Sequence, residues 1–74
     1  MDLFITVHDS EKDIDTLVNM STVESFVSRD IKDRQGQVHL CILYIFRNGI
    51  RTVEEFDTTQ ARQDKMNELE EYMS

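Results

Sequence analysis

Nine consecutive residues, Val38 to Phe46 (V-H-L-C-I-L-Y-I-F), include a single strongly polar member, His39. Side chains alternate along a strand, so His39, Cys41, Leu43 and Ile45 point one way while Leu40, Ile42, Tyr44 and Phe46 point the other. The run therefore predicts a central strand with two apolar faces to hide. Arg47-Asn48-Gly49-Ile50 follows it, and Asn-Gly between apolar runs predicts a two-residue type I′ turn, because both residues tolerate positive φ. Such a turn makes Val38 to Phe56 a hairpin in which Arg47 faces Ile50, Phe46 faces Arg51, Tyr44 faces Val53 and Ile42 faces Glu55. The opposite face then pairs Ile45 with Thr52, Leu43 with Glu54 and Cys41 with Phe56, and Arg51 lies over the Phe46 ring in a cation–π contact.

Upstream, Leu3 to His8 alternates with β-branched and aromatic residues and reads as a strand. Asp9 to Asp15 is a charged connection, Thr16 to Asn19 a short strand, and Asn19 to Thr22 a turn. Val23 to Arg29 alternates again. A helix competes over residues 10–22, since Ser10 with Asp13 could form a capping box and Ile14, Leu17 and Val18 have helical spacing. Thr, Val and Ser dominate from Val18 to Ser28, which favours strands. Asp30 to Gln37 reads as a loop with Gly36 as its permissive residue. Asp57 as N-cap with Gln60 three positions on opens a helix that runs to about Met73. Ala61, Met66, Leu69, Tyr72 and Met73 gather on one side of it, and Asp64, Glu68 and Glu71 form an acidic stripe on another.

The pattern is α+β: a small antiparallel sheet of four to five strands, followed by one C-terminal helix. In this layout the chain resembles small bacterial single-domain proteins of the flagellar-operon FlbD type. The shared features are a short strand, an Asn-containing turn (Leu17-Val18-Asn19-Met20), a strand, then strand–Asn-Gly–strand and an acidic helix. The charged insert at Asp30 to Gln37 departs from that layout, and the resemblance carries no catalytic residue with it.

Seventy-four residues make one small domain, 1–74, and a chain of that length buries only about 60% of its unfolded surface. One cysteine forms no internal disulfide and fits a reducing compartment. No signal peptide is expected at the N-terminus and no run approaches a membrane span, so a cytoplasmic chain with no membrane contact is expected. Eight basic against fifteen acidic side chains give a net charge of −7. Such a surface repels phosphate backbones, so direct nucleic-acid binding is not expected. From Glu54 onward there are seven acids against two bases, a balance of −5.

Candidate chemistry is sparse. His39 and Cys41 share a strand face and His8 could join them as metal ligands, but no fourth ligand stands at a recognisable spacing. Cys41 with a histidine also has the elements of a nucleophile and base, without an orienting third group. Asp9, Glu11, Asp13 and Asp15 alternate as calcium ligands do, yet lack the glycine and terminal glutamate of the familiar loop. Tyr44, Phe46 and Phe26 could stack bases, but the sheet lacks the basic fringe of such surfaces. No catalytic residue, metal or cofactor is assigned, and the chain is not expected to be an enzyme.

One helix covers one sheet face. If it lies over Leu43, Ile45 and Phe56, then Leu40, Ile42, Tyr44, Phe46 and Val53 remain outside, each of the first four worth roughly 1.5–3 kcal/mol if buried. Either the sheet curls over them, or a partner or second copy covers them. The expected function is a small acidic protein-interaction module of the phage or mobile-element accessory sort, with Tyr44, Phe46 and Arg51 on the sheet and Asp64, Glu68 and Glu71 on the helix as partner contacts. A nucleic-acid mimic using the helix with Glu54, Glu55 and Asp57 is the alternative, and a purely structural homodimer a third reading.

Overall fold

The Asn-Gly turn closes in three residues, one more than the dipeptide suggests. In the computed structural model, which describes residues 3–73, Gly49 takes the left-handed conformation at φ 85° while Asn48 stays at negative φ. The Gly49 amide donates to the Phe46 carbonyl and the Phe46 amide to the Ile50 carbonyl, each at 2.9 Å. This is the three-residue loop in which one left-handed residue follows an ordinary turn. The Asn48 side chain accepts from the Ile50 amide, giving the asparagine a role other than positive φ. A Cβ on Gly49 would meet nothing within 4 Å. Gly49→Ala is therefore expected to cost about 1–2 kcal/mol through backbone strain alone, read as a lower urea midpoint with unchanged slope.

That extra residue corrects the register. Strand β4 (Val38–Phe46) pairs with β5 (Arg51–Phe56) so that Tyr44 faces Thr52, Leu43 faces Val53, Ile42 faces Glu54, Cys41 faces Glu55 and Ile45 faces Arg51. A slip of one residue turns every β5 side chain to the other face. Val53 thereby joins Leu43, and Arg51 leaves Phe46.

Five antiparallel strands form two sheets: β1 (Phe4–Asp9) with β2 (Ile14–Asn19), and β3 (Val23–Lys32) with β4 and β5, followed by helix α1 (Thr59–Met73). The expected single sheet is thus divided, for a packing reason. The β1–β2 hairpin does not lengthen the sheet; it turns Val7 and Val18 onto the apolar face of β4. There Val7, Val18, Met20, Val23, Ile42, Tyr44 and Leu69 form the main core, with Ile5, Phe26, Phe46, Phe56 and Met66 packed around it. Cys41, Leu43 and Val53 form a second cluster with Val27 on the other face.

The contest over residues 10–22 resolves as strand and turn. Asn19 caps a single 3₁₀ turn, Met20–Thr22, by accepting from the Ser21 amide at 3.0 Å. The Asp30 to Gln37 loop is shorter than expected, because Asp30, Ile31 and Lys32 extend β3 by pairing with Leu40, His39 and Val38. The long β4 template outweighs their polar composition. The remaining turn is organised by Asp33, whose carboxylate accepts from the amides of Gln35 and Gln37 at 2.9 Å each.

The helix begins one residue later than expected. Thr58, not Asp57, is the N-cap: its hydroxyl accepts from the Ala61 amide at 3.1 Å. Of the anticipated apolar side, Leu69 is buried and Met66 half-buried, whereas Ala61 and Tyr72 are exposed; the Met73 side chain lies outside the described residues. Arg62 adds a bridge to Asp30 on β3 at 2.6 Å. Among the described residues, no helix is long and apolar enough to cross a membrane.

Candidate functional site

Both faces of β4 are closed within one chain from Cys41 to Tyr44, and this removes the packing argument for a covering partner there. Ile42 and Tyr44 are fully buried beneath the β1–β2 hairpin and the helix, while Cys41 and Leu43 are buried on the reverse side. From sequence, the further cover expected was a curled sheet, a partner or a second copy; the first hairpin supplies it instead.

Of the residues expected to meet a partner, Tyr44 must be withdrawn. It is 0% exposed, and its hydroxyl donates to Glu54 Oε1 at 2.7 Å. Burial, then the adjacent Glu54 carboxylate, drives its ionisation far above the ordinary phenol range. Phe46 is half-buried against the core and floors an open recess with Ser21, Thr22, Arg47 and Asn48. Arg51 is exposed on the opposite face and bridges Glu11 at 3.2 Å instead of covering Phe46. Asp64, Glu68 and Glu71 do lie exposed along the helix. Asp64 accepts from Gln60 at 2.8 Å and Glu68 from the Tyr72 hydroxyl at 2.6 Å.

The chemical candidates are spoken for elsewhere. Asp9 is buried and accepts from the Glu11 amide, Glu11 holds Arg51, and Asp13 and Asp15 both hold His8, so the four alternating acids are divided among three partners. No group of three or more ligand side chains among the described residues converges to hold a metal. Cys41 is buried, and desolvation first, then Glu55, pushes its thiol upward, which keeps it protonated and a poor nucleophile. Both ring nitrogens of His39 are engaged by carboxylates, leaving no lone pair to act as base.

What stands open is the outer face of the β1–β2 hairpin. Pairing places Phe4 opposite Asn19, Thr6 opposite Leu17 and His8 opposite Asp15. Phe4 and Leu17 are thus diagonal neighbours, a spacing within side-chain reach. Phe4 is 50% and Leu17 66% exposed. The signal was in the sequence as two adjacent apolar pairs, Phe4-Ile5 and Leu17-Val18. In a strand one member of each pair must point away from the core; here Ile5 and Val18 point inward. The tip of the same hairpin carries Asp13 and Asp15.

No family model, curated protein or solved structure matches the chain. Its functional reading rests on its own surfaces.

Proposed function

We propose that the chain is a small acidic, non-enzymatic protein-interaction module that binds a basic partner protein through the outer face of the β1–β2 hairpin. The observation that carries this reading is the pair Phe4 and Leu17. From His39 to Phe46 every side chain of the central strand is buried or half-buried, whereas these two stand adjacent in solvent at 50% and 66% exposure. An aromatic beside a leucine on a face with no core to serve is suited to being covered by another surface. The net charge of −7 speaks for the partner's sign, since it repels a like-charged surface and steers encounter with a basic one.

The nucleic-acid-mimic alternative loses support, because Glu54 is hydrogen-bonded by Tyr44 and Glu55 by His39 and neither continues the helix row as a free carboxylate. A second copy docking on the same hairpin face is the competing occupant.

Phe4→Ser with Leu17→Ser removes the patch without touching the core. The expected result is an unchanged melting midpoint and at least about a tenfold loss of affinity, near 1.4 kcal/mol, for a basic protein captured from the native host by the parent chain. Binding of that protein should also weaken with added salt. Equal capture by parent and double variant overturns the reading. Light scattering distinguishes the second copy: a mass of twice 8.7 kDa for the parent and 8.7 kDa for the variant assigns the face to self-association instead.

A further inference from the structure

Both histidines of the chain are held in the same unusual way. His8 places Nδ1 at 2.8 Å from Asp15 Oδ1 and Nε2 at 3.0 Å from Asp13 Oδ1. His39 places Nδ1 at 2.6 Å from Glu55 Oε2 and Nε2 at 2.9 Å from Asp33 Oδ2. A neutral imidazole has one N–H and one lone pair, and an ionised carboxylate only accepts. Two carboxylates at hydrogen-bond distance are therefore satisfied together only by the imidazolium.

The clasps sit at mechanically related places. The first closes the tip of the β1–β2 hairpin, where Asp13 takes the strained φ of 55°. The second ties the start of β4 to the β3–β4 turn and to the end of β5. Beside the second clasp, and under the residues that precede Asp13 in the hairpin tip, lies an open groove of about 240 Å³, lined by Ser10 and Glu11 from the tip, His39 and Cys41 from β4, and Arg51 and Glu55 from β5. The tip is fastened across this groove by the Ser10 amide on the Val53 carbonyl at 2.8 Å and by the Glu11–Arg51 pair.

We propose that the two histidines are proton-held clasps that keep the hairpin tip and the β3–β4 turn closed around this groove, so that loss of the protons loosens that end and admits solvent to the buried Cys41. On deprotonation each imidazole turns one lone pair toward a carboxylate and one hydrogen bond of each clasp is lost, the proton passing to water. The charged groups facing His39 are Asp33 from the turn, Glu55 from β5 and the Glu11–Arg51 pair across the groove, with Cys41 as its titratable neighbour on β4. Those facing His8 are Asp13 and Asp15.

The direction follows from these partners. Asp15 first and then Asp13 raise His8, and Asp33 first and then Glu55 raise His39, both above 6.5. A raised imidazole contributes stability that is complete below its unfolded value and vanishes as pH climbs through the folded one. Asp33 is lowered from 3.8 by His39 first, then by the Gln37 amide, so its contribution is present above that value and lost as pH falls through the lowered one. The clasps are closed at mildly acid pH and open as pH climbs through the raised midpoints. This inference stands apart from the partner-binding reading.

The test follows the imidazole resonances of the whole chain by NMR from about pH 5 to about pH 9. In parallel, Cys41 labelling by a thiol reagent is divided by labelling of the urea-unfolded chain, which cancels the thiol's own ionisation. Both histidine midpoints are expected above 6.5. The labelling ratio is expected to rise by about tenfold per pH unit between the ordinary and clasped midpoints, the slope of one coupled proton, and then to level. Asp33→Asn lowers the His39 midpoint and moves the rise with it, leaving His8 in place. Midpoints at or below the ordinary value, or a labelling ratio flat with pH in the parent chain, overturn the proposal even if the variant does not fold.

Discussion

Replacing Tyr44 with alanine is expected to cost about 3–5 kcal/mol, the range for removing a large buried aromatic. At roughly 0.05–0.15 kcal/mol per residue, a chain of 74 residues has only about 4–11 kcal/mol in all. Tyr44→Ala should therefore remove from about a quarter to the whole of that margin. The reason is its position: the ring is fully buried in the main core and its hydroxyl meets Glu54. Tyr44→Phe separates the two contributions. It keeps the ring and removes one hydrogen bond to a carboxylate, worth about 1 kcal/mol because half-buried Glu54 recovers water. Urea titration of the three chains reads both effects as midpoint shifts. A Tyr44→Ala chain as stable as the parent would return Tyr44 to the surface and revive its role as a partner contact.

Leu69→Ala is expected to cost about 2–5 kcal/mol and to release the C-terminal helix. Leu69 is the fully buried side chain of α1, supported by half-buried Met66. What else fastens the helix is the Arg62–Asp30 bridge, with Asp30 mostly exposed, and such pairs contribute only about 0–1 kcal/mol. A helix of 15 residues is marginal on its own once undocked. Circular dichroism should show helical signal falling at lower urea than in the parent. The matched control is Leu17→Ala on the open hairpin face, expected to change stability by no more than about 0.5 kcal/mol. The same substitution is severe at one leucine and mild at the other because one is enclosed and the other is not. Equal effects at both positions would contradict the packing described for each.

Much of the architecture was legible one residue at a time. The β4 run was read to its two ends, Val38 and Phe46, because nine consecutive residues with a single strongly polar member leave little choice of element. The strand at the N-terminus and the terminal helix were placed within one or two residues for the same reason of periodicity. Registers and caps were less legible, since they turn on single residues with near-equivalent neighbours. Asn48-Gly49 permits either a two- or a three-residue loop, and Asp57 and Thr58 can each cap a helix. Which apolar residues stay exposed was illegible for a different reason. Apolar content says how much must be covered, but it does not say which segment covers it.

From its residues alone the chain specified an acidic α+β fold, a long central strand needing shelter on both sides, and a hairpin turning at Asn48-Gly49. These follow from alternation, turn chemistry and charge, which act over a few neighbours. Three-dimensional packing decided that the first hairpin, docked beside β5 with Val7 and Val18 in the main core, supplies shelter for Ile42 and Tyr44, that Tyr44 is core, and that Phe4 and Leu17 stay outside. It also brought four carboxylates onto two imidazoles from separate turns and strands. Those outcomes depend on which distant segments meet, and no local pattern encodes that.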